Sequence, residues 1–348
     1  MTLKDINSKD IIKNKNVNSL FVSTHSEKFN LDCNFLSGNF YLDTFNYFPI
    51  SLNNNTFSDL FSWEQKDKYA NFYKEKFYKD FNEKKNELKF FSDTIILGSS
   101  GSDDYYRNII SFLPRLFFIK DKEINLAIHR KSSNSFRIFL IKILEMMDIK
   151  LKKFIFLDDD FYLFEKSKIP QFFNKETSLR ILKSSLKENE NKDRLNIYVS
   201  RQNSNSRNLI NEADIIEYLK TKNFRIIDTN NMDIQEQIKI FSSAGVVVGP
   251  TCSALTNLIF CPQDTKVIEL KPKYKFQYED TFKYRYSEIC NFLKLEYNSV
   301  EADPIENDFS DKYVKKFIPK KILKESNYYK NLLIKKNDLK EIINNLSI

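Results

Sequence analysis

Three apolar runs in the second half of this chain each stop at residues able to hold part of an anionic, hydroxyl-rich ligand. RLNIYVS (194–200) ends at Arg201, and Arg207 and the pair Asn211-Glu212 follow in a loop without glycine. A guanidinium is a planar, always-charged fork that grips two phosphate oxygens at once. GVVVG (245–249) runs on into Pro250, Thr251, Ser253 and Asn257. Backbone N–H groups where a strand gives way to a helix can hold a phosphate, with Thr251, Ser253 and Thr256 as hydroxyl donors. KVIEL (266–270) carries Glu269 near its end, where a carboxylate can accept both hydroxyls of a ribose. Together these residues imply an anionic, hydroxyl-rich ligand, and a nucleotide-sugar is the natural candidate. A plain structural alternative stands beside each. Arg201 or Arg207 could pair with Glu212 or Asp214, the 249–257 loop could be an ordinary turn, and Glu269 could pair with Lys271 or Lys273. The loop is no Walker A motif, and no GxGxxG occurs.

Other acidic groups also follow apolar runs. Asp158-Asp159-Asp160 comes after KFIFL (153–157); such a cluster could hold a divalent metal bridging a diphosphate, or simply open a solvated loop. Asp103 and Asp104 follow DTIILG (93–98) and the turn Gly98-Ser99-Ser100-Gly101-Ser102. Either could act as a general base or cap the helix that follows. His129, after INLAI, is expected to be a satisfied, buried imidazole.

These residues need elements to position them. Strands are expected at 93–98, 124–129 and 153–157, with a helix over 134–149, and again at 194–200, 245–249 and 266–270. Helices are expected over 211–222, burying Ile215, Ile216 and Leu219, and from Asp233, where Glu236 three residues on is a capping-box signal. Strands alternating with helices in this rhythm indicate parallel sheets with right-handed crossovers. Ligands then bind beyond the carboxyl ends of the strands. The polar stretch 175–194 marks the domain boundary, giving 1–185, 186–310 and a lysine-rich tail, 311–348. Residues 63–91 read as an exposed helix or helical hairpin, and 312–346 as one or two amphipathic helices.

At 348 residues the chain is long enough for two cores. Its net charge of +8 suits a phosphate-bearing substrate or an anionic membrane surface and does not indicate nucleic acid. Four unpaired-looking cysteines and two histidines offer no zinc or disulfide framework. No apolar run reaches the ~18 residues of a membrane span, and the first residues have no apolar signal core. A cytoplasmic location is therefore expected. In the tail, lysines interleave with Phe317, Ile318, Ile322, Leu323, Tyr328, Tyr329, Leu332 and Leu333. That pattern allows contact with anionic lipid, or packing against the rest of the protein.

The order of these motifs resembles glycosyltransferase family 61, whose bacterial members are often capsular-polysaccharide biosynthesis proteins. The resemblance rests on Ser200-Arg201, Arg207, Asn211-Glu212, Glu236-Gln237, Gly249-Pro250, Asn257 and Glu269-Leu270, with DDYYRNIISFLPRL (103–116) upstream. It implies a GT-B-like α/β fold, with two Rossmann-like domains of parallel sheet facing across a cleft and a tail crossing back to the first. It further implies an inverting transfer from a nucleotide-sugar donor to a saccharide or lipid-linked saccharide, without a cofactor or metal. Donor binding would fall to Arg201, Arg207, Glu212, Gly249, Pro250, Thr251, Ser253, Asn257 and Glu269, and catalysis to Asp103, Asp104 and Arg107. Two departures stand out. Arg107 occupies a place where the family often has histidine, and Thr251-Cys252-Ser253 replaces its His-Gly-Ala. A catalytically silent binding protein of the same fold is the alternative, with a metal-dependent transferase behind it.

Overall fold

The computed structural model describes residues 4–6, 20–45, 47–53, 55–57, 60–61, 80–84, 86–186, 194–202, 204, 207–305 and 325–345. The chain divides into two compact units, Met1–Ser185 and Leu186–Ile348.

The first unit is built on a ten-stranded sheet. Its strands are β1 (Lys4–Ile6), β2 (Phe21–Ser26), β3 (Leu31–Asp43), β4 (Phe48–Ser51), β5 (Asn55–Phe57), β6 (Lys89–Ser92), β7 (Thr94–Ile96), β8 (Glu123–His129), β9 (Lys150–Leu157) and β10 (Phe161–Pro170). The main path runs β1-β5-β4-β3-β10-β7-β8-β9, with β2 on β3 and β6 on β10. Strands β7, β8 and β9 are parallel. They are linked by a helical run over 105–116 and by the helix Asn134–Met146, which Ser133 caps by accepting from the Phe136 N–H. This is the expected βαβ rhythm.

The rest of the sheet corrects the expectation of a purely parallel Rossmann-like domain. Strands β2, β4 and β10 all pair with β3 in antiparallel fashion. The aromatic-rich stretch around 39–48 contributes to this meander: the Phe40 ring stacks on Phe164 at 5.8 Å, and Phe91 lies tilted against Phe164, also at 5.8 Å. Aromatic side chains suit a pleated, half-buried surface. The sequence 63–91, expected to be helical, ends in strand β6, with residues 80–84 helical; residues 62–79 and 85 lie outside the described residues.

The second unit carries a six-stranded sheet of β11 (Leu195–Val199), β12 (Arg225–Ile227), β13 (Ala244–Pro250), β14 (Lys266–Pro272), β15 (Glu296–Ile305) and β16 (Asn331–Leu333), in the order β12-β11-β13-β14-β15-β16. All neighbours are parallel except β15 and β16. Helix Glu212–Lys220 follows β11 and buries Ile215, Ile216 and Leu219. Helix Ile234–Phe241 follows β12, closed at its start by the capping box of Asp233 and Glu236. The turn after β13 winds as a 3-10 helix, Ser253–Phe260, and helix Arg285–Leu293 precedes β15.

The described part of the tail, 325–345, is built into this second unit: Leu332, Ile334, Leu339 and Ile343 join the core that contains Tyr198, Ile215 and Val248. These side chains are buried in protein and unavailable to lipid. Phe317, Ile318, Ile322 and Leu323 lie outside the described residues.

Candidate functional site

In the second unit, chain order reverses between β11 and β13. From β11 the chain moves outward to β12, then returns past β11 to lay down β13, β14 and β15. A crevice opens at such a switch point, beyond the carboxyl ends of the two strands. Ser200 and Arg201 follow β11 directly, and Thr251 and Cys252 follow β13.

Each lip of this crevice is fixed by buried hydrogen bonds. Glu212, the first residue of its helix, turns its carboxylate back to the end of β11, accepting from the Arg201 N–H at 2.7 Å and the Tyr198 hydroxyl at 3.0 Å. Burial first, and then the adjacent Glu212 charge, pushes the Tyr198 phenol well above its ordinary value, so it stays a donor. Across the crevice, the Tyr286 hydroxyl donates to the Cys252 carbonyl at 2.5 Å. Gly249 lets the strands close here: a Cβ on it would stand 3.0 Å from Val199 Cβ.

Arg207 follows in the loop after β11, near enough to Cys252 and Tyr286 for them to act on its charge. It takes the left-handed conformation, with φ 55°, uncommon for a residue with a side chain. Its half-buried guanidinium lies 4.6 Å from the centre of the Tyr328 ring, and Tyr328, Cys252 and Tyr286 are the groups that act on its charge. Among the described residues no carboxylate pairs with it. A guanidinium withdrawn from water costs free energy until an anion meets it, so this arrangement can bind an anion.

Glu269 is placed differently from expectation. Strand β14 continues to Pro272, so Glu269 sits mid-strand, 1% exposed. It accepts from the Thr251 hydroxyl at 2.6 Å and the Tyr297 hydroxyl at 2.7 Å. Burial, the largest influence, raises its pKa against those two bonds. Both of its oxygens are thus engaged inside the protein, and one of them holds the Thr251 hydroxyl. Asn257 is likewise interior: its amide donates to Gln237 Oε1 at 2.7 Å, and Gln237 donates to the carbonyls of Thr229 and Met232. Asn257 thus ties the 253–260 turn to the helix Ile234–Phe241. Gly249 and Pro250 are buried within β13, while Ser253 is half-buried at the start of the turn.

The other candidates lie in the first unit, at the carboxyl end of β7. Asp104 caps the helical run by accepting from the Tyr106 N–H at 3.0 Å, and its carboxylate lies 3.9 Å from Arg107. Asp103 is exposed. Residues Asn108–Phe112 form a π-helical turn, a form frequent at functional sites. Asp158, Asp159 and Asp160 each meet a different base: Arg130 at 2.8 Å, Lys131 at 2.6 Å and Lys84 at 3.0 Å. Asp159 also accepts from His129, whose other ring nitrogen accepts from the Lys131 N–H at 3.2 Å. His129 is thus satisfied and buried, and the aspartates are committed to ion pairs. No group of three or more metal-ligating side chains occurs among the described residues.

Sequence reasoning missed the tyrosines. Tyr198, Tyr286, Tyr297 and Tyr328 all line or brace this end of the sheet. In a chain with 18 tyrosines and 32 phenylalanines, composition hides them. Only their placement beside a buried charge distinguishes them.

Residues 105–268 match the family model Glycosyltransferase 61. The matched segment begins one residue after Asp104, includes Arg107, Arg201, Arg207, Glu212 and Thr251, and ends one residue before Glu269. It supports a glycosyltransferase, a class that acts on a donor and an acceptor. No curated protein matches the chain. Among the described residues no helix is long and apolar enough to cross a membrane.

Proposed function

We propose that this chain is an inverting glycosyltransferase with a nucleotide-sugar donor and a saccharide or lipid-linked saccharide acceptor, acting in bacterial surface-polysaccharide synthesis. The two units would be the halves of a GT-B enzyme. The observation that carries this reading is Arg207, a half-buried guanidinium with no carboxylate partner among the described residues, in the loop after β11 at the switch point of a parallel sheet. Arg201 and Arg207, with the N–H groups of the 251–253 loop, would neutralise the departing nucleoside diphosphate. Fixed donors and positive charge aimed at a developing charge lower the barrier without a metal. An acceptor hydroxyl would attack in line once both substrates are held, with Asp103 the exposed carboxylate available as base.

A thermal-shift screen over nucleotide-sugars and nucleoside diphosphates tests the donor class. A ligand at 100 times its Kd adds about 2.7 kcal/mol of stability. Arg201→Ala and Arg207→Ala should each weaken binding by roughly 1.5–3 kcal/mol, the scale of a hydrogen bond to a charged group. Unchanged affinity in both folded variants would refute the site.

One observation favours a second reading, a catalytically silent binding protein. Arg107 stands where the family often has histidine, and its nearest acid, Asp104, is already a helix cap. Donor hydrolysis separates the two: tight donor binding without turnover supports the silent protein, and loss of turnover in EDTA supports a metal-dependent enzyme.

A further inference from the structure

Arg207 rests against a ring that arrives from the far end of the chain. Tyr328 belongs to the segment 325–330, which precedes β16. Glu279 meets this segment with a fully buried carboxylate. One of its oxygens accepts from the Ser326 hydroxyl at 2.5 Å and the Tyr328 N–H at 3.2 Å. The other accepts from the N–H groups of Lys275 and Phe276, at 2.8 and 2.9 Å. The Asn327 amide donates to the Lys273 carbonyl at 2.6 Å. The Tyr328 ring stacks on Phe282, 3.9 Å between centres and 11° between planes. One carboxylate therefore fastens the tail to the loop after β14, and the ring so placed covers one face of the Arg207 guanidinium.

We infer that residues 325–330 are a working strap of the anion site, with Glu279 as its latch and Tyr328 as the residue that positions Arg207. This rests on the reading of Arg207 as an anion contact. An arginine side chain free to rotate loses much rotamer entropy when it grips a ligand. An aromatic face holds the guanidinium through its flat side and leaves N–H groups at its edge for phosphate oxygens. Part of the ordering cost is then met before the ligand arrives. The core contacts of Leu332 and Leu339 already anchor the tail. The bonds to Glu279 are a separate fastening placed at Arg207.

The test titrates the full-length protein with inorganic pyrophosphate by calorimetry, alongside Arg207→Ala, Tyr328→Leu, Tyr328→Phe and Glu279→Gln. Circular dichroism and melting curves check each variant's fold. Wild type should bind, and Arg207→Ala should lose most of that affinity. Tyr328→Leu, which removes the ring, should bind roughly 3- to 30-fold more weakly, while Tyr328→Phe, which keeps the ring and loses only the hydroxyl that also acts on Arg207, should lose less. Glu279→Gln, which weakens the latch but keeps the ring, should fall between them. A merely structural strap would lower the melting temperature without separating Leu from Phe in affinity. If Arg207→Ala loses binding but folded Tyr328→Leu and Glu279→Gln bind like wild type, the strap inference is overturned and the anion site stands. If Tyr328→Leu does not fold, Glu279→Gln decides alone, and wild-type affinity there overturns the inference. If wild type does not bind pyrophosphate, or Arg207→Ala binds it equally well, both readings fall.

Discussion

Arg115 should be indispensable to the first unit for structural reasons, and the cost of removing it follows from its contacts. Its side chain is fully buried. Nη1 donates to the Leu97 carbonyl at 2.5 Å, Nε and Nη2 to the Pro170 carbonyl at 3.0 and 2.5 Å, and Nη2 to the Tyr47 hydroxyl at 2.9 Å. Phe172 covers its face at 4.0 Å. Replacement by methionine keeps the volume but leaves the Leu97 and Pro170 carbonyls buried without these donors. Each stranded group costs about 1–3 kcal/mol. The variant is spared the burial of a charge, which offsets part of that sum, so a net loss of roughly 2–5 kcal/mol is expected. Arg115→Lys should recover only part of it, because an ammonium lacks the planar fork that spans three acceptors. Urea denaturation, followed by a probe confined to the first unit, measures the shift in midpoint at constant slope. A loss below 1 kcal/mol in Arg115→Met would refute the reasoning. Leu97 immediately precedes the glycine turn leading to Asp103, so the same variant should also disturb whatever that turn positions.

Further outcomes are expected elsewhere. Glu269 has its pKa raised by burial, so its contribution to stability is fully present below the ordinary glutamate value and is lost as pH rises through the folded value. Glu269→Gln removes that titration; its stability relative to wild type should improve as pH increases, and a constant difference between pH 4 and 9 would contradict the assignment. Asp233→Ala breaks the capping box and should cost about 0.5–2 kcal/mol, read by thermal melting, with no change in pyrophosphate affinity. Asp103→Asn should abolish transfer while leaving donor affinity intact; transfer at the wild-type rate would remove Asp103 from the chemistry.

The second unit was legible because its strands and helices alternate with clean periods and carry their own punctuation. The Asp233–Glu236 box and the apolar stripe Ile215, Ile216, Leu219 fall where the pattern requires. The antiparallel part of the first unit was not legible, since β3 to β5 are written in aromatics and asparagines without strict alternation, and strand pairing is set by partners distant in sequence. Strand β10 follows an aspartate triplet and bends at Lys166, which has φ 45°, so its register breaks midway. Among site residues, type and spacing located the arginines but could not tell a carboxylate facing a ligand from one facing a tyrosine. Glu269 and Glu212 differ from surface glutamates only in what meets them after folding.

That distinction changes what the two departures from the family pattern imply. Thr251 stands in the loop where the family often has histidine, and its hydroxyl is bonded to Glu269. Arg107 stands where another histidine is common, and it lies beside Asp104. In both places the altered residue neighbours an acid to which the resemblance assigned a direct role toward substrate. A threonine hydroxyl satisfies a buried carboxylate at little cost, and Asp104 serves as a helix cap beside Arg107. Both acids have bonds within the protein. If the protein is a transferase, its positive charge toward the donor then rests on Arg201 and Arg207, and its base on the exposed Asp103. If it has lost catalysis, the anion site should outlast the base, because Arg207 is supported by Tyr328 and Glu279 in the second unit, while Asp103 and Arg107 belong to the first.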